Sequence, residues 1–255
     1  MTSPSPVGRV EQYLREQLLG GPLHFTLIDP DKSPGKRAAA LARGAVDLGS
    51  HAILLGGSTG ISREVMGEAA REVKRAAAVP AIIFPEGPGS LTPDADAVLF
   101  MSLLNSRNLD LVIRTHARSA GAVRKMELEA IPMGYLVIAP GMRVGEVGAV
   151  DPVPRDDLSG AAGYALAAEM LGMRFVYLEA GSGAPAPVPI EMVRHVRDSV
   201  KVPLIVGGGI RSGADAKALL DAGANILVTG TITEEEGLGP SFHGILEEVR
   251  RARSA

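Results

Sequence analysis

Eight short apolar runs, separated by segments with helical spacing, constrain the fold of this 255-residue chain more than any other feature. Most of the runs are apolar without alternation, which is typical of parallel strands that are covered on both faces. They lie at 23–28, 52–55, 81–84, 97–101, 135–139, 174–178, 203–206 and 225–229. The alternation of such runs with helical segments predicts βα units around a parallel sheet.

The segments between the runs predict helices, with one exception. Residues 85–96, PEGPGSLTPDAD, contain too much glycine and proline for a full helix. We predict helices at 35–48, 62–77, 107–127, 157–172, 189–199, 212–222 and 238–252, with Ser62, Asp157 and Ser212 as N-caps. The fold class is therefore α/β: a single-domain (β/α)8 TIM barrel over 1–255, with the helix after strand 3 replaced by a loop and residues 1–22 as an N-terminal helical extension. A doubly wound open sheet stays an alternative, because periodicity does not distinguish a closed sheet from an open one.

Composition narrows the class of protein. Hydrophobic residues make up 46% of the chain, charged residues 22%, and the net charge is −3, which excludes a disordered chain and gives no reason to expect nucleic acid as a partner. The absence of cysteine excludes disulfides, thiolate zinc sites and a cysteine nucleophile. Charged residues at 9, 11, 15 and 16 interrupt the apolar stretch that a signal peptide would need. No apolar run approaches the roughly 20 residues of a membrane span. We expect a cytoplasmic protein that could still contact a membrane peripherally.

Glycine-rich ends of the last two strands predict a phosphate site. In TIM barrels the loops after strands 7 and 8 often bind phosphate, at the face where the strands end. Here strand 7 is followed by GGGIRSG and strand 8 by GTITEE, which places Gly208, Gly209, Gly230 and Thr231 at that face. Backbone N–H groups at glycines can approach an anion without obstruction by a side chain. The alternative is that these glycines only turn the chain.

Acidic residues end two other strands. Asp29, followed by Asp31 and Lys32, could hold Mg²⁺ with help from Ser58 at the end of strand 2, since Mg²⁺ takes few protein ligands beside water and phosphate. An ordinary turn is the alternative for Asp29. Glu179 ends strand 6, where burial would raise its pKa and favour a role as a base. For Glu179 the alternatives are a helix N-cap or a salt bridge with Arg174 or Arg211. The five histidines have no metal-ligand spacing.

Taken together, the motifs LIDPDK, LLGGSTG, FPEGPG, FMSLLNS, YLEAGSG, VGGGIRS and GTITEE resemble the geranylgeranylglyceryl phosphate synthase family, including bacterial relatives that use longer prenyl chains. The resemblance runs from about Leu23 to Glu235. It implies a Mg²⁺-dependent prenyltransferase that joins a polyprenyl diphosphate to the 3-hydroxyl of sn-glycerol 1-phosphate, the first ether bond of archaeal-type membrane lipids. It also implies a homo-oligomer, either a dimer or a hexamer.

The resemblance assigns roles to particular residues. Asp29 and Ser58 would bind the metal. Glu179 would orient and deprotonate the glycerol hydroxyl, Tyr177 would pack against or hydrogen-bond the same substrate, and Lys32 would help to stabilise the departing diphosphate. The glycerol phosphate would be bound by Tyr177, Leu178, Glu179, Ala180, Gly181, Ser182, Gly183, Gly208, Gly209, Gly230 and Thr231. A long isoprenoid would need an apolar trench, which Phe84, Phe100, Met101, Leu103 and the short connection at 85–96 could form; ordinary core packing is the alternative for these residues.

Two other functions stay open on the sequence. One is a phosphosugar isomerase or synthase that uses the same phosphate site, with Glu179 and Asp29 as acid and base. The other is a barrel that binds a phosphorylated ligand without turnover.

Overall fold

The computed structural model describes residues 7–57 and 60–254. Eight parallel strands form a closed barrel in chain order, and the last strand pairs with the first from Leu23↔Ile226 to Thr26↔Thr229. This closure confirms the TIM barrel and rules out the open sheet. The strands are β1 (Leu23–Ile28), β2 (Ala52–Leu55), β3 (Ala81–Ile83), β4 (Ala97–Leu103), β5 (Glu129–Val137), β6 (Phe175–Glu179), β7 (Leu204–Gly207) and β8 (Ile226–Thr229).

Helices surround the barrel, and the three predicted N-caps are confirmed. The side chains of Ser62, Asp157 and Ser212 each accept a hydrogen bond from a backbone N–H in the first turn of the following helix. In the part of the chain that is described, no helix has both the length and the apolarity needed to cross a bilayer. The helices are α1 (Arg9–Leu19), α2 (Lys36–Asp47), α3 (Arg63–Ala76), α4 (Thr115–Lys125), α5 (Met142–Val147), α6 (Leu158–Met170), α7 (Ile190–Ser199), α8 (Gly213–Asp221), α9 (Thr231–Glu235) and α10 (Pro240–Arg253).

The connection from β3 to β4 is the loop that the sequence predicts. Its regular structure is a single 3₁₀ turn, Pro88–Ser90. The starts of two other elements differ from the prediction by more than two residues. β5 begins at Glu129 rather than at 135, because residues 129–135 pair with all of β4, although Glu129 and Pro132 interrupt the apolar run. The helix predicted over 107–127 begins with a π-type turn, Asp110–Arg114, that leads into α4.

Side chains alternate between two apolar layers, as the period of a strand requires. Phe25, Tyr177 and Ile205 belong to the cluster inside the barrel, whereas Leu178 and Val206 pack with helix residues outside it. Full burial of an aliphatic or phenyl side chain contributes about 1.5–3 kcal/mol. The two layers therefore fix which strand residues can face a ligand.

Helix α1 packs on the barrel interior through Val10 and Leu14. The carboxylate of Glu129 in β5 accepts hydrogen bonds from the backbone N–H groups of Val10, at 2.7 Å, and Glu11, at 2.8 Å. Since Glu129 is the first residue of its strand, α1 covers the amino-terminal end of the barrel. The opposite end, where the strands finish, stays accessible.

Candidate active site

A cavity of about 620 Å³ opens where the strands end. Residues near the ends of all eight strands, or in the segments that follow them, contribute to its wall. The predicted site residues that line it are Asp29, Lys32, Tyr177, Glu179, Ser182, Gly208, Gly209, Gly230 and Thr231. Barrel closure thus brings the acids of β1 and β6 and the glycines after β7 and β8 around one space.

Glu179 is buried at the inner end of this cavity. Its Oε1 accepts a hydrogen bond of 2.7 Å from the Gly181 N–H, and its Oε2 accepts one of 3.1 Å from the Tyr135 hydroxyl. Burial raises the pKa of Glu179, while the Gly181 N–H and the hydroxyl groups of Tyr135 and Tyr177 oppose that rise. The result is an oriented carboxylate suited to accept a proton.

The structural alternatives for Glu179 are wrong. Arg174 pairs with Glu11, at 2.6 Å, and Arg211 lies 3.7 Å from Glu235. The next helix, α7, begins at Ile190, too far along the chain for Glu179 to be its N-cap. The Glu179 carboxylate therefore faces the cavity and accepts hydrogen bonds from Gly181 and Tyr135.

Tyr135 is a site residue that the sequence reasoning missed. It aligns with Tyr177 across the β5–β6 pair, so both rings enter the barrel at the same level. The two ring centroids lie 5.0 Å apart, and Phe84 stands edge-on to Tyr135 at 5.7 Å. Burial is the main cause that raises the pKa of both phenols, which keeps them protonated donors. Tyr135 is the first residue of the run predicted as strand 5, and only the earlier start of β5 in the structure places it near the end of a strand.

The glycines after β7 place backbone without side chains beside the Glu179 carboxylate. Gly208 and Gly209 have φ values of +79° and +70°, which L side chains rarely adopt. A Cβ at position 208 would collide with Glu179 Oε1. From the other side, the Ser182 and Thr231 hydroxyls lie 2.7 Å apart, so the loops after β6 and β8 meet.

Four members of the predicted YLEAGSG loop do not face the cavity. Leu178 and Ala180 are fully buried in the layer between barrel and helices, because strand alternation turns them away from Tyr177 and Glu179. Gly181 uses its N–H on Glu179, and Gly183 lies outside the cavity wall. The role of the loop in binding glycerol phosphate stays a prediction for Leu178 and Ala180, and Ser182 carries the loop's polar side chain into the cavity.

Asp29, directly after β1, both forms a turn and faces the cavity. Asp29 Oδ1 accepts the Asp31 N–H at 3.0 Å, while the same carboxylate is buried and lines the cavity. Lys32 Nζ lies 3.8 Å from Asp29 Oδ2 and 2.6 Å from Glu234 Oε2. The hydrogen bond to Glu234 raises the pKa of Lys32, so its charge is kept at the rim. Asp31 is exposed.

Gly57 packs directly on the Asp29 carboxylate. A Cβ there would lie 2.7 Å from Asp29 Oδ1, and the Gly57 N–H donates to Glu86 Oε1 at 3.1 Å. Ser58, the predicted second metal ligand, lies outside the described residues. Burial raises the pKa of Glu86, and the charge of Asp29 adds to the rise. Glu86 is a further acid at this rim that the sequence reasoning passed over within FPEGPG.

The donors near Asp29 suit Mg²⁺. This hard cation prefers carboxylate oxygen and usually takes one or two protein carboxylates, leaving other positions to water and phosphate. Asp29 offers a carboxylate with the open cavity beside it. Among the described residues no group of three or more His, Asp or Glu side chains could enclose a metal by itself. The site therefore fits a cation that is shared with a phosphorylated substrate.

An apolar branch of the cavity extends between β4 and α4. Phe84, Phe100, Met101 and Leu103, the residues predicted for the prenyl trench, all line the cavity, together with Leu111 and Val123. The glycine-rich 3₁₀ segment after β3 contributes Gly87 and Gly89. Because a full helix is missing there, the barrel mouth stays open on this side.

Comparison with known proteins identifies the family. The model of the PcrB family matches residues 11–250. A geranylgeranylglyceryl phosphate synthase of Pyrococcus horikoshii is 51% identical over 244 residues, 96% of each chain. The crystal structure of (S)-3-O-geranylgeranylglyceryl phosphate synthase from Thermoplasma acidophilum, in complex with sn-glycerol-1-phosphate, superposes with a TM-score of 0.91 and 43% identity over 96% of this chain and all of that one. The enzyme of Thermoplasma volcanium gives the same TM-score at 34% identity, over 96% of this chain and 98% of its own. With a family match over nearly its whole length and relatives near half identity, this chain belongs to the PcrB family of geranylgeranylglyceryl phosphate synthases.

Proposed function

We propose that this protein transfers a polyprenyl group from its diphosphate to the 3-hydroxyl of sn-glycerol 1-phosphate, which forms the first ether bond of archaeal-type membrane lipids. The names of its relatives indicate that the group is geranylgeranyl. The observation that carries the proposal is the Glu179 carboxylate, fixed by Gly181 and Tyr135 beside the bare backbone of Gly208. A base beside an anion site suits a phosphorylated alcohol. The apolar branch of the same cavity suits a long hydrocarbon chain.

In the proposed step, Glu179 takes the proton of the glycerol 3-hydroxyl. The oxygen forms a bond to C1 of the prenyl group, and the bond from C1 to the diphosphate oxygen breaks with its electron pair on the diphosphate. The products are prenylglyceryl phosphate and diphosphate. A raised pKa of Glu179 favours this proton transfer, because a stronger base is a better acceptor for an alcohol proton.

The phosphate of the glycerol substrate would lie against Gly208, Gly209 and Gly230, with the Thr231 hydroxyl as a further donor. Backbone N–H groups without a Cβ beside them bind phosphate oxygens at short range. Tyr177 packs against the same substrate. Its hydroxyl is directed at Gly207, where no side chain could be accommodated.

The diphosphate would lie near Asp29 and Lys32. Asp29, with Ser58 as the predicted second ligand, would hold Mg²⁺, which when bound stabilises negative charge on a leaving diphosphate. Lys32 contributes a fixed positive charge at the rim, 3.8 Å from Asp29. The prenyl chain would then extend past Phe84 into the branch between β4 and α4. Each buried CH₂ contributes about 0.8 kcal/mol to its binding.

Three further expectations belong to this proposal. We infer a homo-oligomer, either a dimer or a hexamer, from the family resemblance. A cytoplasmic location and peripheral contact with a membrane would suit an enzyme with one water-soluble and one lipid-like substrate.

Incubation of the protein with Mg²⁺, sn-glycerol 1-phosphate and a mixture of C15, C20 and C35 prenyl diphosphates tests the proposal. We expect one prenylglyceryl phosphate mass to dominate, and we expect EDTA to stop the reaction until Mg²⁺ is restored. Product without Mg²⁺ would refute the metal requirement. The absence of product from every pair would favour a phosphosugar isomerase or a barrel that only binds its ligand.

A further inference from the structure

The carboxylate of Glu86 bonds to the loop that follows β2. Glu86 lies three residues after the end of β3, and its Oε1 accepts the Gly57 N–H at 3.1 Å. Burial is the main cause that raises the pKa of Glu86, while the N–H groups of Ile61, Gly57 and Gly60 oppose that rise, which places all three donors near one carboxylate. The described ends of the loop, at 57 and at 60–61, therefore meet at the Glu86 side chain.

Backbone pairing with the neighbouring strand ends just before this contact. The Gly56 N–H still donates to the Ile28 carbonyl, at 3.1 Å, beyond the last residue of β1 and β2. At Gly57, the next residue, the acceptor is the Glu86 side chain. A hydrogen bond between a backbone N–H and a carboxylate is charge-assisted and stronger than one between neutral groups. Glu86 thus continues, by means of a side chain, the anchoring that the sheet provides as far as Gly56.

The position of Gly57 determines how closely the loop packs on Asp29. A Cβ at Gly57 would lie 2.7 Å from both carboxylate oxygens of Asp29, so the Gly57 backbone contacts that carboxylate directly. Ser58, the predicted second metal ligand, is the next residue in the chain. A shift of Gly57 would therefore change the surroundings of one proposed metal ligand and the attachment point of the other.

Glu86 acts through this loop and does not reach a ligand itself. Although Glu86 belongs to the cavity wall, its Oε2 is inaccessible to solvent, and its Oε1 is used on the Gly57 N–H. Groups that orient metal ligands without touching the metal still affect its binding, and their removal commonly costs about 10–100-fold in metal affinity. The contacts of Glu86 correspond to a group of that kind.

We propose that Glu86 is a positioning residue that holds the loop after β2 against Asp29 and thereby strengthens the binding of Mg²⁺ together with a diphosphate. This inference rests on the proposed function, because it assigns the rim at Asp29 to the metal and the leaving diphosphate. It predicts an effect on metal affinity, with the glycerol phosphate site left unchanged.

Two substitutions separate the hydrogen bond of Glu86 from its charge. Glu86→Gln keeps an oxygen that can accept the Gly57 N–H, whereas Glu86→Ala removes the acceptor. Electron paramagnetic resonance of Mn²⁺, titrated together with inorganic diphosphate, measures metal binding without turnover. We expect Glu86→Ala to weaken the affinity for Mn²⁺ with diphosphate by about 10–100-fold, and Glu86→Gln to retain most of the wild-type affinity.

Turnover gives a second readout. In Glu86→Ala the Mg²⁺ concentration for half-maximal rate should rise, the lost rate should largely return at high Mg²⁺, and the KM for glycerol 1-phosphate should not change. Glu68→Ala, at an exposed position of α3, is the matched control and should behave as the wild type. Thermal unfolding identifies variants that are folded at the assay temperature. If Glu86→Ala is not, Glu86→Met fills the same space without an acceptor and takes its place.

Wild-type affinity for Mn²⁺ with diphosphate in the variant without an acceptor would overturn the inference, as would a wild-type protein that does not bind this pair. An equal loss in Glu86→Gln and Glu86→Ala would also overturn it, because charge alone would then account for the effect. Failure of the proposed function is recognised separately, since the wild-type protein would form no ether product from any prenyl diphosphate, while the Mn²⁺ measurements would still compare the variants.

Discussion

At the scale of single residues, Glu179 shows how one side chain is prepared for proton transfer. A backbone N–H and a phenol occupy its two oxygens, so the carboxylate is oriented before any substrate arrives. Gly208 then brings the neighbouring strand end so close that no side chain can come between base and backbone. Burial and hydrogen bonding act on the pKa of Glu179 in opposite directions, and burial is the larger cause.

Replacement of the base is the most direct test. Glu179→Gln keeps the shape of the side chain and removes its basicity, so kcat should fall by about 10²–10⁴-fold. The KM for glycerol 1-phosphate should change little if the phosphate is bound by the glycines. Steady-state kinetics measure both, and Glu191→Gln, at an exposed position of α7, is the matched control. Near-normal kcat in Glu179→Gln would reject the role as base.

Tyr135→Phe tests how the base is tuned. The Tyr135 hydroxyl stabilises the charged form of Glu179 and so lowers its pKa. Its removal should raise that pKa further and move the acidic limb of the kcat/KM profile to higher pH. Tyr164→Phe, at an exposed position of α6, should leave the profile unchanged. An unshifted limb in Tyr135→Phe would mean that the limb reports another group.

At the scale of elements, α1 is attached to the barrel by buried charge as well as by apolar packing. Glu11 is fully buried and accepts hydrogen bonds from Arg174 at 2.6 Å and Arg15 at 2.9 Å. The Glu129 carboxylate bonds to backbone N–H groups in the first turn of the helix, which otherwise lack intrahelical partners. All of these contacts lie at the end of the barrel opposite the cavity.

Arg174→Met should therefore destabilise the protein without affecting catalysis. The substitution leaves the buried Glu11 carboxylate with Arg15 as its remaining cationic partner. We expect the free energy of unfolding to fall by roughly 3 kcal/mol, the low end for breaking a buried pair, because Arg15 stays. Urea denaturation measures this loss, and kcat at a permissive temperature should be unchanged. A selective loss of kcat would contradict the separation of the two ends.

At the scale of the whole molecule, barrel closure separates a stabilising end from a reactive end. β1 contributes to both: His24 lies near its start, and Asp29 follows its end. His24 is fully buried and bonds through its ring to Ser50 and Thr229, at 3.3 and 2.9 Å. Burial lowers the pKa of His24 to about 3 and that of His51 to about 4. Both imidazoles are therefore neutral in the folded protein.

This burial makes stability depend on pH. The folded pKa of His24 lies below its unfolded value of 6.5, so the unfolded chain binds the extra proton, and stability falls as pH drops from about 6.5 toward 3. The expected slope from His24 is roughly 1.4 kcal/mol per pH unit, and His51 acts in the same direction. Urea denaturation between pH 7 and 4.5 measures it. His24→Gln should reduce the slope of stability against pH by the equivalent of about one proton. His243→Gln, at an exposed position of α10, should not change the slope.

Patterns within the chain were enough to predict the strand order and the missing helix. Continuous apolar runs identify strands buried on both faces, and glycine and proline at 85–96 exclude a helix, because these signals are local. The predicted start of β5 was wrong by six residues. The first half of the strand contains Glu129 and Pro132, and pairing with β4 stabilises it as a strand. Pairing of that kind is not readable from local composition.

By itself the sequence determined the eight strands, favoured a barrel over an open sheet, and placed Asp29 and Glu179 at strand ends, because strand ends and turn residues are encoded locally. Only the tertiary structure decided which side chains reach the cavity. Alternation along β6 turns Leu178 outward, and register with β5 places Tyr135 against Glu179. Each of these depends on a neighbour distant in the chain, and closure of the barrel is what brings those neighbours together.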